Sequence, residues 1–127
     1  MIWRWADKQA LLLLHDESLA EHGGSAGIRD EGLLESALAR PLNLEAYSKP
    51  DFADLAASYA IGLAKNHPFV DGNKRAAFLA TGLFLFLNGY RLRAAQADAT
   101  LTMLDVAAGD VDEAAFAVWL RQHSVKR

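Results

Sequence analysis

Two long apolar segments, 51–66 and 73–88, lie only six residues apart, and both carry helical rather than alternating periodicity. In the first, Phe52, Leu55, Ala56, Tyr59, Ala60, Leu63 and Ala64 make a wide apolar stripe. In the second, the run from Ala76 to Leu87 is apolar all round, which predicts that this helix is the buried centre of the domain. A chain built on such a pair has to wrap further helices around it. No convincing sheet, internal repeat, low-complexity segment or heptad run is present. The predicted fold is all-α: one compact domain over residues 1–127, about six helices around a buried central helix, with at most one small hairpin.

The other elements follow from caps and stops. Trp3 and Trp5, in a short lead-in, are expected to pack against the first helix. Asp7 caps that helix, which runs to about His22 with Leu11, Leu12, Leu14, Ser18 and Leu19 near one face, and Gly23-Gly24 stops it. Asp30 caps a second helix that Pro41 is expected to end, leaving 41–50 as a linker. Asp51 caps the third helix, and Lys65 complements the end of its dipole. After the stop at Asn88-Gly89, residues 90–93 are read as extended. A fifth helix starts at Asp98 and ends at Gly109, and a sixth starts at Asp110 or Asp112, with Phe116, Trp119 and Leu120 inward. His123, Lys126 and Arg127 are read as a solvated tail.

Composition narrows the function. Apolar residues make up 52% of the 127, enough for a real core and against disorder. A net charge of -3 argues against direct nucleic-acid binding. The absence of cysteine removes disulfides and thiolate metal sites. No signal-peptide core or membrane-spanning run is visible, so a cytoplasmic location is expected. His15 and His22 are about 10 Å apart along one helix, too far for one ion, and read as packed or capping groups. The loop 23–29 is glycine-rich but lacks the G-K-[ST] ending of a phosphate loop. Its Arg29 is equally suited to a phosphate or acidic partner and to a surface salt bridge with Asp30-Glu31.

The chemistry lies between the two apolar helices, in His67-Pro68-Phe69-Val70-Asp71-Gly72-Asn73-Lys74-Arg75. Pro68 turns His67 away from helical dihedrals, so the third helix should end near Asn66. Asp71-Gly72-Asn73 is a turn cluster, and a new helix begins at about Asn73. A helix start presents unpaired N–H groups and positive potential. Lys74 and Arg75 in that first turn are unfavourable by roughly 0.3–1 kcal/mol each unless an anion is bound. An imidazole, a carboxylate, an N–H nest and two cations are the parts needed for phosphoryl-type transfer. Phe69 is expected to point inward and hold the loop.

This stretch resembles the signature of the Fic/Doc superfamily, H-x-F-x-[DE]-G-N-[GK]-R. Lys74 stands where adenylyl-transferring members have Gly, and Phe78 where they have a second Arg; both departures resemble the Doc branch. The segments Gly27–Leu38 and Asn88-Gly89-Tyr90 also look like Doc segments in the same order. The resemblance implies a toxin of a toxin–antitoxin pair that transfers the terminal phosphate of ATP to a hydroxyl of elongation factor Tu and so halts translation. It implies His67 as general base, Asp71 as Mg²⁺ ligand, and Gly72, Asn73, Lys74 and Arg75 as phosphate-binding residues. No internal inhibitory motif of the form [ST]-x-x-x-E-[GN] is present, so restraint by a partner antitoxin of the Phd type is implied. Two alternatives stay open: an adenylyltransferase on the same fold, told apart by the mass added to a target, and a non-catalytic binding module, in which His67→Ala would change nothing.

Overall fold

The structure, a computed structural model, describes residues 2–127. It consists of α1 (Lys8–His22), α2 (Glu31–Tyr47), α3 (Phe52–Asn66), α4 (Asn73–Leu87), β1 (Tyr90–Leu92), α5 (Gln96–Ala108), α6 (Glu113–His123) and β2 (Ser124–Lys126). The all-α class and the six helices agree with the sequence reading. Four helices start on an aspartate whose carboxylate accepts a backbone N–H: Asp7 from Ala10 at 3.2 Å, Asp30 from Leu33 at 2.9 Å, Asp51 from Asp54 at 2.9 Å and Asp112 from Ala115 at 2.8 Å. Each such cap contributes about 1 kcal/mol. At α3 the Asp54 carboxylate answers by accepting the Asp51 N–H, completing a capping box. The fifth helix begins at Gln96 rather than Asp98, after Ala95, which gives no side-chain cap.

The central helix is α3, not α4. From Ala53 to Ala64 every α3 residue except Asp54 is buried, and α2, α4, α5 and α6 all pack on it. Its surface is rich in Ala and carries Gly62, so neighbouring helices can approach closely: a Cβ on Gly62 would lie 3.3 Å from Ala37 of α2. By contrast α4 is buried along one side only, at Ala76, Ala77, Ala80, Thr81, Phe84 and Leu85, and Phe86 is exposed. Uniform hydrophobicity overstated the burial of α4, because large side chains at a partly covered surface read the same as large side chains in a core.

Pro41 does not end α2; it lies inside the helix, which continues to Tyr47. Proline removes one intrahelical hydrogen bond. Here Pro41 is itself buried on the side that faces α3, and packing holds the turn together despite the missing donor. Trp3 and Trp5 pack against Phe84 of α4, each with ring centroids 6.0 Å apart. Tyr59 is fully buried, as expected, and its hydroxyl accepts the Ala6 N–H at 3.0 Å.

The extended reading of residues 90–93 is met by β1, but its partner is not a hairpin neighbour. β2 pairs antiparallel with β1 in the register Tyr90↔Lys126, Arg91↔Val125 and Leu92↔Ser124. The residues expected to form a solvated tail are therefore part of the fold. His123 stacks on Trp119 at 4.4 Å, and the Arg127 guanidinium lies 4.0 Å over the Phe86 ring. An edge strand needs a backbone partner, and the chain beyond α6 supplies it. Among the described residues no helix is long and apolar enough to cross a membrane.

Candidate active site

The loop between α3 and α4 joins the C-terminus of the central helix to an N-terminus that is built unlike those of α1, α2, α3 and α6. Gly72 is the N-cap of α4, in the left-handed region at φ 74°, and no side chain caps the helix. No acidic residue occupies its first turn, which instead carries Lys74 and Arg75, both exposed. The N–H groups of this first turn have no intrahelical acceptor. Dipole, free donors and two cations converge on one exposed spot.

His67 is the C-cap of α3 and is also in the left-handed region, at φ 49° and ψ 55°. It is the only non-glycine residue with positive φ among the described residues. Such a conformation costs on the order of 1–3 kcal/mol and persists only where surroundings impose it. Arg29 imposes it. Its Nε donates to the His67 carbonyl at 2.7 Å, one terminal nitrogen donates to the Asn66 carbonyl at 2.9 Å, and its own backbone N–H donates to the Pro68 carbonyl at 2.7 Å. Arg29 makes no salt bridge to Asp30 or Glu31; its Nε and one terminal nitrogen serve the end of α3. The sequence places Arg29 thirty-eight residues from His67, and only folding brings them together.

The glycine-rich loop pairs with the motif along its length. Ile28 and Phe69 form an antiparallel bridge, and the Val70 N–H donates to the Gly27 carbonyl at 3.0 Å. Phe69 is buried, as expected, and its backbone is held by Asn73: the Asn73 amide oxygen accepts the Phe69 N–H at 2.9 Å, and its NH₂ donates to the Phe69 carbonyl at 3.0 Å. The Asn73 side chain is thus committed to the loop.

Asp71 is exposed and does not cap α4. One carboxylate oxygen accepts the Gly72 N–H at 2.8 Å and the other accepts the Ser25 N–H at 3.2 Å. Gly24 makes that approach possible: a Cβ there would lie 2.9 Å from the Asp71 carboxylate and 2.7 Å from Leu19. A single exposed carboxylate with lone pairs to spare fits Mg²⁺ that arrives with phosphate oxygens, and no cluster of three ligating side chains occurs among the described residues.

Both α1 histidines lie against this loop, which the sequence did not reveal. His22 bonds the Ser18 carbonyl through Nδ1 at 3.1 Å, and the Arg75 guanidinium lies 3.4 Å from its ring nitrogens. His15 is 2% exposed and packs on the Phe69 ring with centroids 4.1 Å apart. Burial lowers its pKa below the usual imidazole range, opposed by the Asp16 charge and by the backbone and charge of Asp71. A cleft of about 790 Å³ lies away from the motif, lined by residues that include Trp3, Phe52, Asn88 and Tyr90. The motif face is instead an open surface, with His67, Val70, Asp71, Lys74 and Arg75 all exposed.

The pattern of the Fic/DOC family matches residues 5–85, most of the chain, including the whole motif. Over 120 residues, 94% of either chain, the sequence is 32% identical to the protein kinase doc of Escherichia phage P1. The chain belongs to the Doc branch of the Fic/Doc family. It is also 46% identical over 76 residues to the toxin Doc of Mycolicibacterium smegmatis, a match that spans 57% of this chain and 57% of that relative. The motif joins α3 to α4, and the contacts of Arg29, Gly24 and His15 with it are what the sequence did not reveal.

Proposed function

We propose that this protein is the toxin of a toxin–antitoxin pair, and that it transfers the terminal phosphate of ATP to a hydroxyl of elongation factor Tu. The observation that carries this reading is the start of α4: uncapped, with two cations in its first turn, and joined to a histidine held in a strained left-handed conformation. Uncompensated charge at the helix start is a cost to folding that a bound polyphosphate would relieve, and a strained conformation held by its surroundings is characteristic of a functional loop. The relatives named toxin Doc and protein kinase doc support the same reading.

In this mechanism the first-turn N–H groups of α4 and the Gly72 backbone receive phosphate oxygens. Lys74 neutralises charge as a point cation, and Arg75 as a two-pronged fork. Asp71 would hold Mg²⁺ together with phosphate oxygens, which supplies further neutralisation of the transferring group. The His67 imidazole takes the proton of the attacking hydroxyl as the new O–P bond forms. The bond between the terminal phosphorus and the bridging oxygen breaks, and ADP leaves. The exposed position of the motif suits a substrate as large as a folded protein. An antitoxin of the Phd type would supply the restraint for which the sequence has no internal inhibitory motif.

Lys74 carries the choice between phosphate and AMP transfer, because a long cation there narrows the anion nest relative to glycine. Intact-protein mass spectrometry of elongation factor Tu, incubated with this protein, Mg²⁺ and ATP, tests the proposal beside a His67→Ala control. The expected result is a gain of one phosphate that the control lacks. An AMP-sized gain would make the protein an adenylyltransferase, and a gain unaffected by His67→Ala would remove His67 from the mechanism.

A further inference from the structure

Both ring nitrogens of His15 are buried and have no hydrogen-bond partner, and Ser18 Oγ, three residues along the same helix, is in the same state. Residues at that spacing share a helix face, here the one turned toward α4. The fully buried Ser58 and Thr81 are satisfied, Ser58 accepting from Arg40 at 3.2 Å and Thr81 donating to the Ala77 carbonyl at 2.9 Å; away from α1, Ser124 Oγ at the start of β2 is also unpartnered. Three orphaned polar atoms on one helix face, two of them on a single imidazole, point to a partner that the resting arrangement does not provide.

What lies over the His15 ring is the candidate site. Phe69 covers one face, and a Cβ on Gly72 would lie 2.9 Å from His15 Cε1 and 3.8 Å from Nδ1. The imidazole therefore touches the N-cap of α4 from beneath. Asp71 also bears on the ring, through an interaction of its backbone that favours the charged imidazole, which requires an acceptor and so its carbonyl oxygen. That oxygen is near the ring without being hydrogen-bonded to it.

Resting on the reading of the α4 start as a nucleotide site, we propose that His15 is its positioning residue: buried, it forms the floor of the Asp71-Gly72 turn and donates a ring N–H to the Asp71 carbonyl when Mg²⁺ and ATP draw the turn into place. Asp71 presents its carboxylate outward from the same residue whose carbonyl His15 would hold, and Gly72 follows directly. One buried bond would set the direction of the carboxylate and of the first phosphate-binding N–H together. A leucine would fill much of the same space with no polar atom, so the imidazole is not explained by packing.

The test is calorimetric titration of the full chain with ATP and Mg²⁺, with thermal unfolding in parallel, for wild type, His15→Leu, His15→Asn and His15→Gln. His15→Leu is expected to keep or raise the melting temperature while weakening binding about tenfold, the worth of one net hydrogen bond. Asn places its NH₂ near the Nδ1 position and Gln near Nε2, so one of the two should restore binding and the other should not. Wild-type affinity in His15→Leu would overturn the positioning role and leave the nucleotide site standing. Failure of the wild type itself to bind would overturn both. Should His15→Leu not fold, equal weakening by Asn and Gln in step with lost stability would show a packing role only, and overturn the proposal.

Discussion

Replacing Arg29 by alanine separates holding the site from holding the fold. The guanidinium donates to the carbonyls of Asn66 and His67, at 2.9 and 2.7 Å, in an exposed setting. After screening, each bond is worth about 1 kcal/mol, about 2 kcal/mol together. Those bonds act against the strain of a left-handed His67, itself on the order of 1–3 kcal/mol. Without them the loop relaxes and recovers part of that strain, so folding stability should fall by only about 1 kcal/mol. The ratio of left-handed to relaxed His67 should fall roughly 30-fold, since each 1.4 kcal/mol is a factor of ten. The rate of transfer under single-turnover conditions should drop by about the same factor, and urea unfolding should show the small stability change beside it. Arg29→Lys should be intermediate, because an ammonium reaches one carbonyl where the guanidinium reaches two. A rate for Arg29→Ala within about twofold of wild type, or a loss explained by the unfolded fraction alone, would refute the argument that Arg29 acts through His67.

Two further outcomes follow from the geometry. Gly24→Ala, at φ 125° with Asp71 and Leu19 inside contact distance, should cost about 1–3 kcal/mol and displace the Asp71 carboxylate; a Mg²⁺ titration of activity should show a higher half-saturating concentration. At Asp51, burial pushes the pKa up, but the Arg121 fork and the Asp54 N–H outweigh burial and hold it below its ordinary 3.8. A depressed folded pKa gives stability that is present above the unfolded value and lost as pH falls through the folded one. Arg121→Ala should therefore cost about 1 kcal/mol at neutral pH, given that both side chains are some two-fifths exposed, and nearly nothing below the folded pKa of Asp51; urea unfolding at both pH values measures the difference.

Local chemistry, read along the chain, determined the helices, four aspartate caps, and the content of the loop between the third and fourth helices. Those features depend on interactions within a few residues: a carboxylate three positions before an N–H, a glycine that alone accepts a left-handed turn, a proline that bars helical dihedrals before it. They are legible because the interacting groups are neighbours in sequence. Which helix is central was not legible, because an alanine-rich surface such as that of α3 becomes a core only when four other helices approach it. Pro41 was misread for a related reason: its local cost is real, and packing against α3 overrides it. The supports of the candidate site were the least legible of all. Arg29 holds His67, Gly24 admits Asp71, and His15 lies beneath Gly72, each across more than thirty residues of chain. The sequence by itself named the groups able to do chemistry; the tertiary structure alone decided which groups hold them in place, because a hydrogen bond to a backbone carbonyl or a close approach at a glycine leaves no periodic trace in the residues that make it.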